Sequence, residues 1–162
     1  MDQDNLLAPP GGRTFLGRKS WVAYAVTILR HALALLAVSI LWFYAPPAAG
    51  IVALLLVLGH LAYRILELRS YELFLTEDGV WVFAGILPWT KGVSGVKWRD
   101  LDEAVFFNSL VGWATRSYSI RIGHRFTKAS EIFVSHVFCG QKVVGRVNDM
   151  HREMVRSGAV GR

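Results

Sequence analysis

Apolar positions along the chain fall first into two long blocks and then into short alternations. Positions 21–44 read WVAYAVTILRHALALLAVSILWFY, and positions 51–68 read IVALLLVLGHLAYRILEL, with APPAAG between them. A helix that crosses a bilayer needs about 20 mostly apolar residues. The first block is long enough outright; the second, over 51–66, is slightly short. Pro46 and Pro47 cannot continue a helix, and Gly50 permits a turn. The pattern predicts two antiparallel transmembrane helices with a tight loop, a hairpin over 21–69.

From Tyr71 the period drops to two. Tyr71, Leu73 and Leu75 alternate with Glu72, Phe74 and Thr76. Glu77, Asp78 and Gly79 supply a turn, and 80–83 reads as the returning strand. Further strands are expected over 96–98, 103–108, 117–122 and 131–137, with loops over 87–95, 109–116 and 123–129. The period then becomes helical. Val143, Val144, Val147, Met150 and Met154 or Val155 form one apolar stripe, with Lys142, Arg146, Asp149, Arg152 and Arg156 on other faces, and Gly158 stops the run. The expected fold class is α+β: a transmembrane helical hairpin, then an antiparallel β-barrel or sandwich capped by a C-terminal helix. The expected divisions are a flexible tail over 1–20, the hairpin over 21–69, the strand-rich domain over 70–157 and a short tail over 158–162.

Charge orients the hairpin. Arg13, Arg18 and Lys19 precede the first block, Arg64 and Arg69 end the second, and the connecting loop carries none. Positive flanks mark cytoplasmic helix ends, so both termini and the domain are expected in the cytoplasm, with the chain multi-pass in the inner membrane. Trp21, Trp42, Tyr44 and Tyr63 sit near the block ends, as an interfacial belt does. Arg30 and Arg64 fall at similar depth, where long side chains reach toward the interface, and Arg64 can pair with Glu67 one turn on. Arg30, His31 and His60 could otherwise form a polar cluster for protons or ions, but no acidic partner for it lies within 21–44 or 51–66. With 53% hydrophobic and 19% charged residues, the composition is that of a small membrane protein. A net charge of +6 suits an anionic surface. The single cysteine, Cys139, excludes an internal disulfide and a multi-cysteine metal centre.

Several stretches together carry a family likeness. They are YELFLT at 71–76, the turn at Asp78 and Gly79, VWVFAG at 80–85 followed by Ile86 and Leu87, VKW at 96–98 with Asp100 and Leu101, and SLVG at 109–112. In this order, after two membrane helices, they resemble the bacterial pleckstrin-homology-like membrane proteins. The resemblance covers about 21–156. It implies a membrane-anchored PH-like barrel with a capping helix and no catalytic residues. Lipid-binding eukaryotic PH domains, a more distant likeness, carry lysines and arginines around their first hairpin. The turn at Glu77 and Asp78 is acidic instead, which argues against phosphoinositide recognition there.

Catalytic signatures are incomplete. Gly140 to Gly145 mimics half a phosphate loop, but Arg146 and Val147 stand where Lys and Ser or Thr are needed. The spacing around Ser94 is not a nucleophile elbow. His136 and Cys139 could pair as base and thiol, yet neither an orienting group nor further metal ligands accompany them. No enzyme, cofactor or metal is therefore expected. Asp100, Asp102 and Glu103 form an acidic cluster beside Arg99. A basic window stands out more: Arg116, Arg121, His124, Arg125 and Lys128 lie in a stretch, 104–130, without an acid. It is the candidate surface for anionic lipid or a protein partner. Nucleic acid is not expected, since no helix-turn-helix, RNP or zinc-finger pattern is present. Strand alternation further expects two loops to return to the membrane, one with Leu87, Trp89 and Lys91, the other with Leu110, Trp113 and Arg116. The acidic turn would point away. The expected role is a non-enzymatic scaffold recruiting or bracing proteins of an envelope complex, in contact with membrane lipids; lipid sensing through the basic window is the alternative, and homo-oligomerisation is left open.

Overall fold

The computed structural model describes residues 12–44 and 46–158. The chain does not begin with a tail followed by a hairpin. Thr14–Arg18 is a strand, β1, and it leads directly into helix α1, Trp21–Leu41. Helix α2, Pro47–Ser70, returns the chain to strand β2, Glu72–Leu75. β1 and β2 pair antiparallel, with Phe15 opposite Phe74 and Arg18 opposite Glu72. The flexible segment expected over 1–20 is corrected on this point; its first eleven residues lie outside the described residues. The helical hairpin is thus an insertion between two neighbouring strands of one sheet. That pairing forces both feet of the hairpin, and everything flanking it, to one side of any membrane the helices cross.

The helices form where the apolar blocks predict. Ser20 caps α1 by accepting from the Val22 N–H, and Pro47 opens α2, where a missing N–H costs nothing. At the tip the Trp42 ring lies against Gly50, leaving no room for a Cβ there. Both helices are long and apolar enough to cross a membrane. Only 17% and 6% of their most apolar stretches are buried, so these are not the core helices of a globular domain. Leu29, Leu33, Leu36, Leu55 and Leu56 all stand exposed on the hairpin.

Beyond β2 the chain forms β3, Gly79–Ala84, and β4, Gly92–Lys97, which complete a four-stranded antiparallel sheet in the order β1-β2-β3-β4. The expected loop over 87–95 is therefore shorter, because Gly92 to Gly95 belong to β4. Gly95 has a packing reason: the Trp81 ring occupies the place of its Cβ. A turn at Trp98 to Asp100 carries the chain to a second sheet, β5-β6-β7, made of Leu101–Phe107, Ser117–His124 and Ile132–Phe138. The expected loop over 109–116 holds a short helix, α3, Leu110–Thr115, capped by Ser109. Helix α4, Gly140–Arg156, closes the domain and buries Val143, Val144 and Val147 as the stripe requires.

The two sheets do not form a closed barrel among the described residues. β4 and β5 do not pair with each other, and the sheets are linked near the hairpin by the bridge of Lys19 with Val137 and by the Ser20 N–H to the His136 carbonyl. The sandwich half of the expectation stands; the barrel half does not. The core lies between the sheets and under α4, built from Val80, Val96, Leu101, Ile120, Ile122, Val137 and Val147, each at most 1% exposed. One polar contact ties α4 to the sheet. At the bulge between Leu101 and Ala104, Asn148 Oδ1 accepts from the Ala104 N–H at 3.1 Å and Nδ2 donates to the Ala104 carbonyl at 2.9 Å. Ala104 stands opposite Ile122 on an edge strand, and the amide satisfies its backbone groups on the edge that no strand covers.

Candidate functional site

A polar concavity lies where the hairpin meets the domain. The end of β1, both helices and the bulged part of β7 converge there. Lys19, Ala23, Thr27, Arg30, Arg64, Glu67, Tyr71, Ser135 and His136 are among the residues lining a cavity of about 240 Å³. The local folding that builds it is specific. The Ser20 N–H donates to the His136 carbonyl at 2.6 Å, which pins the start of α1 to β7. His136 has φ 55°, the left-handed bulge residue that turns β7 at this contact.

The cavity gathers charge. Lys19 Nζ donates to the Ser135 carbonyl at 2.7 Å and sits 4.5 Å from the centre of the Tyr71 ring. Arg64 pairs with Glu67, the i,i+3 partner, as the spacing predicted. Arg30 makes no ion pair among the described residues. Burial, and then the neighbouring Arg64, bring the Lys19 ammonium down from 10.5 to about 8, against the opposing pull of Glu67. His136 is pushed below its ordinary 6.5, first by burial and then by Lys19. Both shifts report positive charge held in a partly dry recess with too little negative charge to balance it.

One layer deeper into the hairpin, His31 Nδ1 lies 2.7 Å from the Thr27 carbonyl, and its Nε2 lies 2.9 Å from His60 Nδ1. Since Thr27 offers an acceptor, His31 donates to it and receives the proton of His60. The pair stitches α1 to α2 within the hairpin.

The basic window is not one patch. Arg116 is the left-handed cap that ends α3, at the start of β6. His124, the last residue of that strand, and Arg125 and Lys128 beyond it lie at the other end, about 23 Å away at 3.3 Å per residue. Arg121 lies midway on the outer face, 4.0 Å from Glu131. The backbone N–H of Arg125 donates to the backbone carbonyl of Asp100 at 2.8 Å, which ties this end of the window to the turn before β5. His124 Nδ1 accepts from the Phe126 and Thr127 amides, so that ring organises its own turn.

The two apolar loops separate as well. The β3–β4 loop, with Leu87, Trp89 and Lys91, lies at the hairpin's foot, because the Gly85 N–H donates to Ser70 Oγ at the end of α2, 3.0 Å away. Trp89 is 78% exposed there. Leu110 and Trp113 lie on α3, whose Arg116 carbonyl accepts from the Cys139 N–H just beyond β7. Cys139 lies two residues past Val137, which bridges Lys19. Leu110, Val111 and Trp113 are 89%, 61% and 68% exposed. They adjoin the outer face of the second sheet, where Phe107 and Phe133 pack with ring centres 6.3 Å apart and Phe138 stands opposite Ser117. The acidic turn at Glu77 lies at the end of the first sheet opposite the hairpin. His136 and Cys139 do not meet: His136 faces the foot cavity, whereas Cys139 lines a separate groove with Phe15, Phe138 and Arg146.

Sequence reasoning missed both the foot cavity and the aromatic face. Arg30 and the pairing of Arg64 with Glu67 were visible, but only β1 and the β7 bulge bring Lys19 and His136 beside them. No protein-family model, curated protein or solved structure matches the chain.

Proposed function

We propose that the chain is a non-enzymatic binding module of the PH-like kind, anchored in a bacterial inner membrane, that recruits or braces proteins of an envelope complex. The exposed aromatic face carries this reading. Phe107, Phe133 and Phe138 on one sheet surface, continued by Leu110, Val111 and Trp113 on α3, leave large apolar side chains in water. Contiguous apolar surface of that kind marks an interaction site, and aromatic anchors dominate such sites. The seven-stranded sandwich closed by α4 supports the PH-like assignment. The two exposed apolar helices support the anchor, and the positive flanks of 13–19 and 64–69 support a cytoplasmic domain.

A photo-cross-linking residue at Trp113, in the full chain in its native membrane, tests the proposal. A discrete adduct with one protein, lost when Phe107 and Phe133 are both changed to Ser, is the expected result. Adducts with lipid alone at Trp113 would overturn the scaffold reading.

A further inference from the structure

Helix length fixes how deep the foot cavity reaches. The 21 residues of α1 span about 31 Å at 1.5 Å per residue, barely the ~30 Å of a bilayer's hydrocarbon. The helix has no length to spare, so it crosses from its first turn. Arg30 is nine residues in, about 13 Å down the axis, and Arg64 is six residues from the end of α2, about 9 Å down. Guanidinium groups starting at such depth extend along their stems toward polar surroundings. The polar surroundings they find are the foot cavity, with Lys19, Glu67, Ser135 and His136.

The cluster is one-sided. Three cations face one carboxylate, and Arg64 already holds that carboxylate. Arg64 Nε is buried and has no hydrogen-bond partner among the described residues. Arg30 has no ion-pair partner among the described residues. A buried cationic donor without an acceptor is costly, and the ligand that relieves it is an anion with several acceptor oxygens. Guanidinium forks match phosphate in this respect, with an ammonium as an added point charge. Lys19, Ser135 and His136, outside the helices, form the end of the site where a headgroup would enter, and the apolar wall of Ala23, Val26 and Leu68 suits the carbon skeleton next to a phosphodiester. Its 240 Å³ is below the roughly 300–1,000 Å³ of drug-sized pockets and fits a headgroup rather than a larger ligand.

We propose that the foot cavity binds the phosphate of an anionic membrane lipid between Lys19, Arg30 and Arg64. The lipid would lie between the hairpin and the domain and fix the angle between them. This reading needs the hairpin in a bilayer, but it is independent of the aromatic face and of any protein partner there. It also differs from lipid binding by the window of Arg116 to Lys128, which lies elsewhere on the domain.

The test uses the full chain in mild detergent, titrated with phosphatidylglycerol, phosphatidylcholine or inorganic phosphate, with bound lipid counted by native mass spectrometry. Saturable retention of phosphatidylglycerol, not matched by phosphatidylcholine, is expected. Lys19→Gln and Arg30→Gln should each weaken it about tenfold, equivalent to about 1.4 kcal/mol. Arg116→Gln with Arg125→Gln should leave it unchanged. Lys19→Gln lies outside the helices and retains a donor for Ser135, so it serves even if Arg30→Gln fails to fold. Displacement of the lipid by millimolar phosphate would overturn the lipid assignment in favour of a free anion. Unchanged affinity in Lys19→Gln, or loss confined to the Arg116 and Arg125 variant, would overturn the site.

Discussion

Asn148→Ala removes both bonds that join α4 to the bulge of β5. The Ala104 N–H and carbonyl lose their partners at a residue only 3% exposed, so water does not replace them readily. Leaving a buried backbone group unsatisfied costs about 1–3 kcal/mol, so the pair together costs about 3 kcal/mol. For a chain of this size that corresponds to a fall in Tm of about 6–12 °C. Trp98 stacks on His151 of α4 with ring centres 6.4 Å apart, so tryptophan fluorescence of the full chain in mild detergent reports release of the helix. Asn148→Asp adds a second arm. Its carboxylate still accepts from the Ala104 N–H but sets an oxygen against the Ala104 carbonyl. Protonation restores a donor, so its deficit relative to the parent should shrink as the pH falls toward the carboxylic range. A shift below about 2 °C for Asn148→Ala would refute the claim that this amide locks α4 to the sheet.

Further outcomes rest on other parts of the fold. Val147→Asp buries an unpaired charge at a position with 0% exposure, a cost of several kcal/mol against a typical 5–15 kcal/mol of stability, and should unfold the domain; Arg152→Ala, paired only with exposed Asp149, should be silent in the same melt. His136 and His151 are both held below their ordinary 6.5, chiefly by burial, so the unfolded chain takes up protons first as the pH falls through 6.5. Stability should therefore drop on acidification through that window, and the double variant His136→Asn, His151→Gln should flatten the drop; an unchanged pH profile would count against it. Residues 70–158 expressed alone lack β1 and should aggregate through the open edge of β2, whereas 12–19 joined to 71–158 by a short Gly-Ser turn should give a soluble folded domain. Equal solubility of the two would mean that β1 is dispensable.

Much of the fold was legible because its signals are local. The hairpin, the β2–β3 turn and the stripe of α4 each rest on a period within one stretch. β1 was not, since its partner β2 begins more than fifty residues later and its Arg13, Gly17, Arg18 and Lys19 read as a charged flank to a membrane helix. β4 was cut short because Gly92 and Gly95 resemble a loop until Trp81 is seen to occupy the space above Gly95. The basic window looked continuous because sequence spacing ignores the length of β6, which holds its two ends apart. The foot cavity was illegible for the converse reason: Lys19, Arg30, Arg64 and His136 come from separate elements and meet only after β1 and the bulge of β7 are in place.

The central claim is that the hairpin is inserted between two paired strands of one domain, which places the residues before and after it together. The most direct measurement is a cross-strand disulfide between β1 and β2 in native membranes. Phe15 and Phe74 are register partners, Phe15 exposed and Phe74 buried, and opposed Cα atoms about 4.5–5.5 Å apart lie within disulfide range. In a Cys139→Ser background, Phe15→Cys with Phe74→Cys should oxidise almost completely, with both thiols protected from alkylation after denaturation. The control pair Phe15→Cys with Phe133→Cys, on the other sheet, should stay free. Full alkylation of the Phe15→Cys, Phe74→Cys pair under the same oxidant would contradict the insertion and with it the shared side of the two hairpin feet.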